Sequence, residues 1–201
     1  MSSKTLDVVL VRHGETEWSR TGRHTGRTDI ALTELGRRQA DQLAGMLAGR
    51  TFELAMSSPL IRARETYERA GISTDAEINS DLLEWDYGVY EGVSTPETQL
   101  EIPDWSVWTH PIIGGEAVDA VGDRADSVIG RVAEANGDVV LFAHGHFLRI
   151  LAARWLGLPA EAGRHLALNT ATVSTLGFER ESHVIRRWNE GCHLRGIEAT
   201  P

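Results

Sequence analysis

Three short clusters carry basic or imidazole side chains at points where an extended run gives way to a helical one: Arg12-His13-Gly14, Arg62, and His144-Gly145-His146. Guanidinium forks and imidazole N–H groups are donors suited to a compact oxyanion, and helix N-termini add backbone N–H groups with a partial positive charge. Two arginines, two histidines and those amides would make a pocket for an anion the size of a phosphoryl group. That chemistry requires the three clusters to meet.

The elements around them say where. Asp7 to Val11 is a short β-branched run that reads as a buried strand, followed by a polar loop from Arg12 to Ile30. Thr33 predicts a helix N-cap, and Leu35, Leu43, Met46 and Leu47 fall on one face of a helix ending near Gly49. Glu53 to Ser57 is a weaker strand. Ser58 and Pro59 predict an N-cap with proline in the first helical position, opening a helix to about Ala70. From Val118, the spacing of Val121, Ala125, Val128, Ile129 and Val132 predicts a long one-faced helix ending near Asn136-Gly137. Val139 to Ala143 is a second buried strand, Phe147 to Leu156 a helix closed by Gly157 and Pro159, and Thr172 to Phe178 and His183 to Trp188 are weaker strands. Strands alternating with helices at this spacing predict a three-layer α/β/α fold with a largely parallel central sheet. If the strands are parallel, all three clusters lie at the carboxyl edge, where open α/β sheets bind ligands.

The stretch from Trp85 to Gly115 differs: it is rich in aromatic and turn residues, carries Pro96, Pro103 and Pro111, and has little periodicity. It reads as an insertion over the active site of a single domain spanning residues 1–201. A net charge of −9 repels polyanions, which argues against nucleic acid or an anionic membrane as partner, so any bound anion must be held locally. Lys4 is the single lysine; the other basic residues are arginines. Apolar runs such as Val139 to Ala143 fall far short of the roughly 20 residues a membrane-spanning helix needs. With no secretory pattern at the N-terminus and Cys192 as the one cysteine, a reducing, cytoplasmic setting is expected.

The motifs form an ordered set. Val11-Arg12-His13-Gly14-Glu15-Thr16-Glu17-Trp18 is followed by Gly22 and Gly26, Leu32-Thr33-Glu34-Leu35-Gly36 with Gln39-Ala40, and Ser57-Ser58-Pro59 with Arg62 and Thr66. Glu84 then comes with Gly88 and Glu91-Gly92, and last His144-Gly145. This series closely resembles the histidine phosphatase superfamily, in its phosphoglycerate-mutase-like branch, from about residue 8 to 150. The resemblance implies that His13 attacks phosphorus as a neutral imidazole, forming a phosphohistidine, while Arg12, Arg62 and His144 hold the phosphoryl oxygens. It implies that Glu84 protonates the leaving group and then deprotonates the hydrolytic water. Leu82, Leu83 and Trp85 beside it would favour the protonated acid, so activity is expected on the acid side of neutrality.

Ser19 stands where many members of that family have Asn, which shortens or removes a phosphate contact. Thr25 and Gly26 keep a loop expected to close over phosphate through backbone amides, and Gly145 completes the binding set. His24 and His146 lie near the pocket without an assigned role, and Trp105 and Trp108 are candidate walls for the leaving group. No cofactor is expected, and no metal: the pair His144 and His146 lacks a third ligand.

A cofactor-dependent phosphoglycerate mutase needs the same core plus basic residues in the insertion to grip a carboxylate. Between Trp85 and Gly115 the chain has no Lys or Arg but has Asp86, Glu91, Glu97, Glu101 and Asp104. Hydrolysis of small-molecule phosphate monoesters is therefore the expected activity, with the mutase as the alternative and a non-catalytic phosphate-binding module or a metal-dependent hydrolase behind it. The weak C-terminal strands leave an edge through which a homodimer would pair.

Overall fold

The computed structural model describes residues 6–197, so Lys4 and the extreme termini lie outside the described residues. Strands β1 (Val8–Arg12), β2 (Leu54–Ser57), β3 (Ala76–Ile78), β4 (Val139–Ala143), β5 (Val173–Glu179) and β6 (Ser182–Glu190) form one sheet in the order β3-β2-β4-β1-β5-β6. The pairs β3–β2, β2–β4 and β4–β1 are parallel, and β5 and β6 add an antiparallel hairpin beside β1.

Side chains alternate across a strand, so each central strand feeds two cores. Val8, Leu10, Val139 and Leu141 pack with Val121, Ala125, Val128 and Val132 of helix α5 (Val118–Ala133) and with Phe147 and Leu151 of helix α6 (Gly145–Trp155). Val9, Val11, Val140 and Phe142 pack on the other face with Leu43 and Leu47 of helix α2 (Glu34–Leu47) and Ala70 of helix α3 (Ile61–Ala70). The result is the expected α/β/α sandwich. Among the described residues no helix is long and apolar enough to cross a membrane.

Three elements depart from the sequence expectation. The loop after β1 contains a short helix, α1 (Glu17–Arg20), closed by a reciprocal capping box between Thr16 and Ser19; with Ser in place of the usual Glu or Gln, its signature is faint. Helix α3 begins at Ile61, and Ser58 does not cap it. Its first free amide is capped instead by Asp29, whose Oδ1 accepts from Ile61 N at 2.8 Å. Ser58 continues the β2 pairing, donating its amide to Phe142 at 3.0 Å, while its Oγ accepts from Leu60 N at 3.4 Å, one residue short of the helix. The third is β3, a three-residue edge strand too short to show periodicity.

The register sets the position of the functional clusters. Arg12 pairs with Ala143 and Ser57 with Phe142, so β1, β2 and β4 end level with one another and His13, Ser58 and His144 leave the sheet at one edge. Residues between Leu82 and α5 include one further short helix, α4 (Thr95–Gln99), and bring Glu84 and Tyr87 to a cavity shared with His13.

Candidate active site

His13 is held first by its backbone. Its amide donates to Ala143 at 3.0 Å, and the next residue packs where only glycine fits: a Cβ on Gly14 would lie 2.4 Å from the Gly36 carbonyl oxygen. Gly14 N donates to Thr66 Oγ1, which in turn donates to the Arg62 carbonyl, tying the loop to α3. The His13 ring then has one defined tautomer. Nδ1 lies 2.7 Å from the Gly14 carbonyl, which can only accept, so Nδ1 carries the hydrogen and Nε2 keeps its lone pair. Burial, then Arg62 and Arg12, hold the imidazole well below its ordinary pKa, against the opposing Gly14 bond. The ring is neutral and lines a cavity of about 210 Å³.

Arg12 lines the same cavity. Its Nη1 donates to the Leu168 carbonyl at 2.5 Å, while its buried Nε has no protein partner. Gly145 permits this placement, since a Cβ there would lie 3.1 Å from the guanidinium carbon. A buried guanidinium with unspent donors is costly unless an anion meets it.

Arg62 is fully buried and does not line the cavity. Its Nη2 donates to the carbonyls of Thr25 and Gly26, its Nη1 to that of Thr28, and its Nε to His144 Nδ1 at 3.1 Å. Of the five hydrogens a guanidinium offers, this leaves one, so the expected fork on the phosphoryl oxygens is instead a brace for the Thr25 loop. His144 also lies behind the cavity wall, its ring centroid 5.2 Å from that of His13. Because Nδ1 accepts from Arg62, Nε2 carries the hydrogen and donates to Ser58 Oγ at 2.7 Å. Ser58, read as a helix cap from the sequence, belongs to this network.

Glu84 reaches the cavity from the far side and is 5 % exposed. Oε1 accepts from the amides of Trp85 and Phe147, and Oε2 from that of His146, so the carboxyl group sits on the first turn of α6. The expected apolar surroundings are therefore replaced by three N–H donors. Arg124 of α5 donates to the carbonyls of Asp81 and Leu83, pinning the segment that carries Glu84. Nothing in the sequence singled out Arg124.

The remaining expected contacts divide. Ser19 and Thr25 line the cavity, but the Ser19 hydroxyl is engaged with the Thr16 backbone. Gly26 does not line it: its amide donates to Glu91 Oε1, so it is not available to phosphate. Trp105 is fully buried behind His24, ring centroids 5.5 Å apart, and Trp108 faces a neighbouring cavity of about 650 Å³; neither walls the cavity of His13. The acidic residues of the Trp85–Gly115 stretch do not line it either. Glu91 binds the Gly26 and Thr28 amides, Asp86 the Gly88 amide, and Glu97 caps α4. Among the described residues no group of three or more His, Cys, Asp or Glu side chains is placed to hold a metal ion.

His24 and His146, left without a role by the sequence, line the cavity, and the structure adds Arg23, Tyr87, Arg149 and Leu168 to its wall. Tyr87 OH and His146 Nδ1 are hydrogen-bonded at 2.5 Å; burial pushes the phenol well above its ordinary pKa and the imidazole well below. Arg149 had a legible signal, standing one helical turn beyond Gly145 and hence on the same face of α6.

Residues 8–191 match the family model of the histidine phosphatase superfamily (branch 1). An acid phosphatase of Mycobacterium tuberculosis is 44% identical over 187 residues, covering 89% of this chain and 90% of that protein. Sedoheptulose 1,7-bisphosphatase of Saccharomyces cerevisiae is 33% identical over 193 residues, covering 79% and 70%. Among solved structures, an open reading frame product from Mycobacterium tuberculosis superposes with a TM-score of 0.86 at 39% identity, covering 91% of this chain and 96% of that one. A mycobacterial glucosyl-3-phosphoglycerate phosphatase in complex with VO3 does so with a TM-score of 0.83 at 29% identity, covering 92% and 99%. Matched over nearly its whole length in both sequence and fold, this chain belongs to the histidine phosphatase superfamily, branch 1.

Proposed function

We propose that the protein is a phosphomonoesterase working through a phosphohistidine at His13. The observation that carries this reading is the juxtaposition of a neutral imidazole, its Nε2 lone pair free, with the unspent donors of buried Arg12 on one cavity wall. The names of relatives, acid phosphatase and sedoheptulose bisphosphatase among them, support it.

His13 Nε2 attacks phosphorus and the ester P–O bond breaks. Arg12 takes up the charge on the transferring oxygens, and His144 adds its Nε2–H by exchanging Ser58 for a phosphoryl oxygen. Glu84, on the opposite side, gives its proton to the departing alkoxide, and the resulting carboxylate removes a proton from water. That water attacks the phosphohistidine, the P–N bond breaks, and orthophosphate leaves with His13 and Glu84 restored. The Trp85–Gly115 stretch covers the site and lends Tyr87 to the leaving-group side.

The test is a set of phosphomonoesters incubated in a metal chelator, with phosphoglycerate and a bisphosphoglycerate primer in a parallel reaction. Release of orthophosphate and acid-labile phosphate on His13 are expected. Isomer exchange without net release would identify a mutase, and failure to label His13 would remove the covalent mechanism.

A further inference from the structure

We infer that Trp188, Asn189 and His193, near the end of the chain, are positioning residues for Arg12 and His13: they hold the loop 167–172, and that loop holds the backbone of both residues and the Arg12 guanidinium. This rests on the reading of the cavity as a phosphomonoesterase site and adds the part of the chain that aligns it. None of the three side chains lines the cavity.

The loop meets Arg12 and His13 through four hydrogen bonds. The buried Ala171 amide donates to the carbonyls of both residues, at 3.1 and 3.0 Å, and the Arg12 amide donates to the Thr172 carbonyl at 3.4 Å. The Leu168 carbonyl accepts from Arg12 Nη1. Ala171 makes its contacts with a φ of 52°, in the left-handed region, where a Cβ is unfavourable. Such a conformation persists only where surrounding contacts hold it, and it clusters at functional sites.

The contacts that hold it come from β6 and the turn that follows. Trp188 Nε1 donates to the Ala167 carbonyl at 2.6 Å, Asn189 Oδ1 accepts from the Asn169 amide at 2.8 Å, and His193 Nε2 lies 2.9 Å from the Ala171 carbonyl. Alternate residues of the loop are thereby tied down. A carbonyl only accepts, so His193 Nε2 carries the hydrogen and donates, while its Nδ1 is buried with no protein partner. The ring forgoes water on one nitrogen to keep the bond on the other. A β-bulge aims the other two side chains: between the pairs Val173–Glu190 and Thr175–Arg187, Ser174 alone faces both Trp188 and Asn189. Asn189 takes a φ of 57° there, and its amide donates to Ser174 Oγ. A regular strand would send residues 188 and 189 to opposite faces of the sheet, and here both reach one loop.

The test measures, well below the melting temperature, kcat for a phosphomonoester that the parent hydrolyses and the inhibition constant of orthovanadate, which mimics the transferring phosphoryl group when His13 and Arg12 are aligned on it. In His193→Ala and Asn189→Gly, kcat should fall and the vanadate constant rise, each by about tenfold or more, since misplacement of reacting groups by an ångström costs up to roughly a hundredfold. His193→Gln, which keeps an N–H donor, and Asn189→Asp, which keeps the acceptor, should bring both constants back to within about threefold of the parent's. Ile185→Ala, on the same strand with its side chain packed against the core, should lower the melting temperature and leave both constants unchanged. Glycine suits the φ of residue 189, so Asn189→Gly keeps the test valid if His193→Ala does not fold. Variants that melt earlier, as Ile185→Ala does, with kcat and the vanadate constant at the parent's values overturn the inference and leave the phosphatase reading intact. A fall in kcat with no change in the vanadate constant, or failure of both conservative variants to restore the constants, overturns it equally. Absence of hydrolysis by the parent with every ester overturns the phosphatase reading itself, and this inference with it.

Discussion

Arg62 Nε donates to His144 Nδ1 at 3.1 Å, and both side chains are wholly buried. A guanidinium has no acceptor and keeps its charge, so this single bond dictates which nitrogen of His144 bears the hydrogen. The same guanidinium holds the carbonyls of Thr25, Gly26 and Thr28, so the tautomer of one residue and the position of a loop are coupled through a third.

Arg62→Ala should therefore cost stability as well as rate. Removing the group leaves buried carbonyls without donors and a void in the interior, at a cost of about 1–3 kcal/mol for each group left unsatisfied. Thermal or denaturant unfolding measures it. An unchanged melting temperature beside a kinetic defect would show that Arg62 serves substrate alone.

His13→Ala should reduce turnover by roughly a thousandfold or more, as removal of a nucleophile does elsewhere, without unfolding the protein. The side chain packs against polar groups at the sheet edge, and the backbone bond from residue 13 to Ala143 survives the substitution. Residual activity near the parent value, measured under saturating substrate, would exclude the covalent route.

The pH dependence has a definite sign. His13, His144 and His146 are held well below the ordinary value of 6.5, chiefly by burial. A nucleophile that must be neutral stays competent as pH falls through 6.5, so the rate should persist on the acid side and decline only well below that value. Stability behaves differently. Between the lowered folded values and 6.5 the unfolded chain binds protons that the native state refuses, so stability is full above 6.5 and is lost as pH drops. Melting temperatures of the parent and His13→Ala between neutrality and mild acid check this, with a shallower decline expected for the variant. Equal slopes would mean that His13 protonates freely in the fold.

Gly145→Ala separates placement from stability. Alanine suits the first turn of a helix, but its Cβ would sit 3.1–3.5 Å from three atoms of the Arg12 guanidinium. The melting temperature should barely move while kcat/KM falls by about tenfold or more, because sub-ångström misplacement of a catalytic group is enough to slow phosphoryl transfer. Activity equal to the parent's would show that Arg12 has slack.

Much of this arrangement was legible in the chain itself. The runs Asp7–Val11 and Val139–Ala143 and the periodic apolar faces of residues 35–47 and 118–132 locate strands and helices because burial repeats every two or about 3.6 residues. Arg12, His13 and His144 stand directly after those strands, and parallel pairing alone brings them to one edge. What did not show were properties set by partners distant in sequence. Ser58 has the local signature of a cap but bonds His144, 86 positions away, and Arg62 faces loop carbonyls where a substrate contact was expected. The acidic stretch after Glu84 suggested repulsion of anionic substrates; in the fold Glu91 and Asp86 bind loop amides, and the residues lining the cavity include Arg12, Arg23 and Arg149 but none of the acidic residues that follow Glu84.

The order of residues by itself determined the sandwich and put Arg12, His13 and His144 at the ends of strands, since burial patterns are local; the roles given to these residues and to Glu84 came from the family resemblance. Only the tertiary structure decided which nitrogen carries each hydrogen and which guanidinium is spent on the protein or left for a ligand. Those outcomes depend on hydrogen-bond partners brought together from opposite ends of the chain, and no local pattern encodes such a partnership.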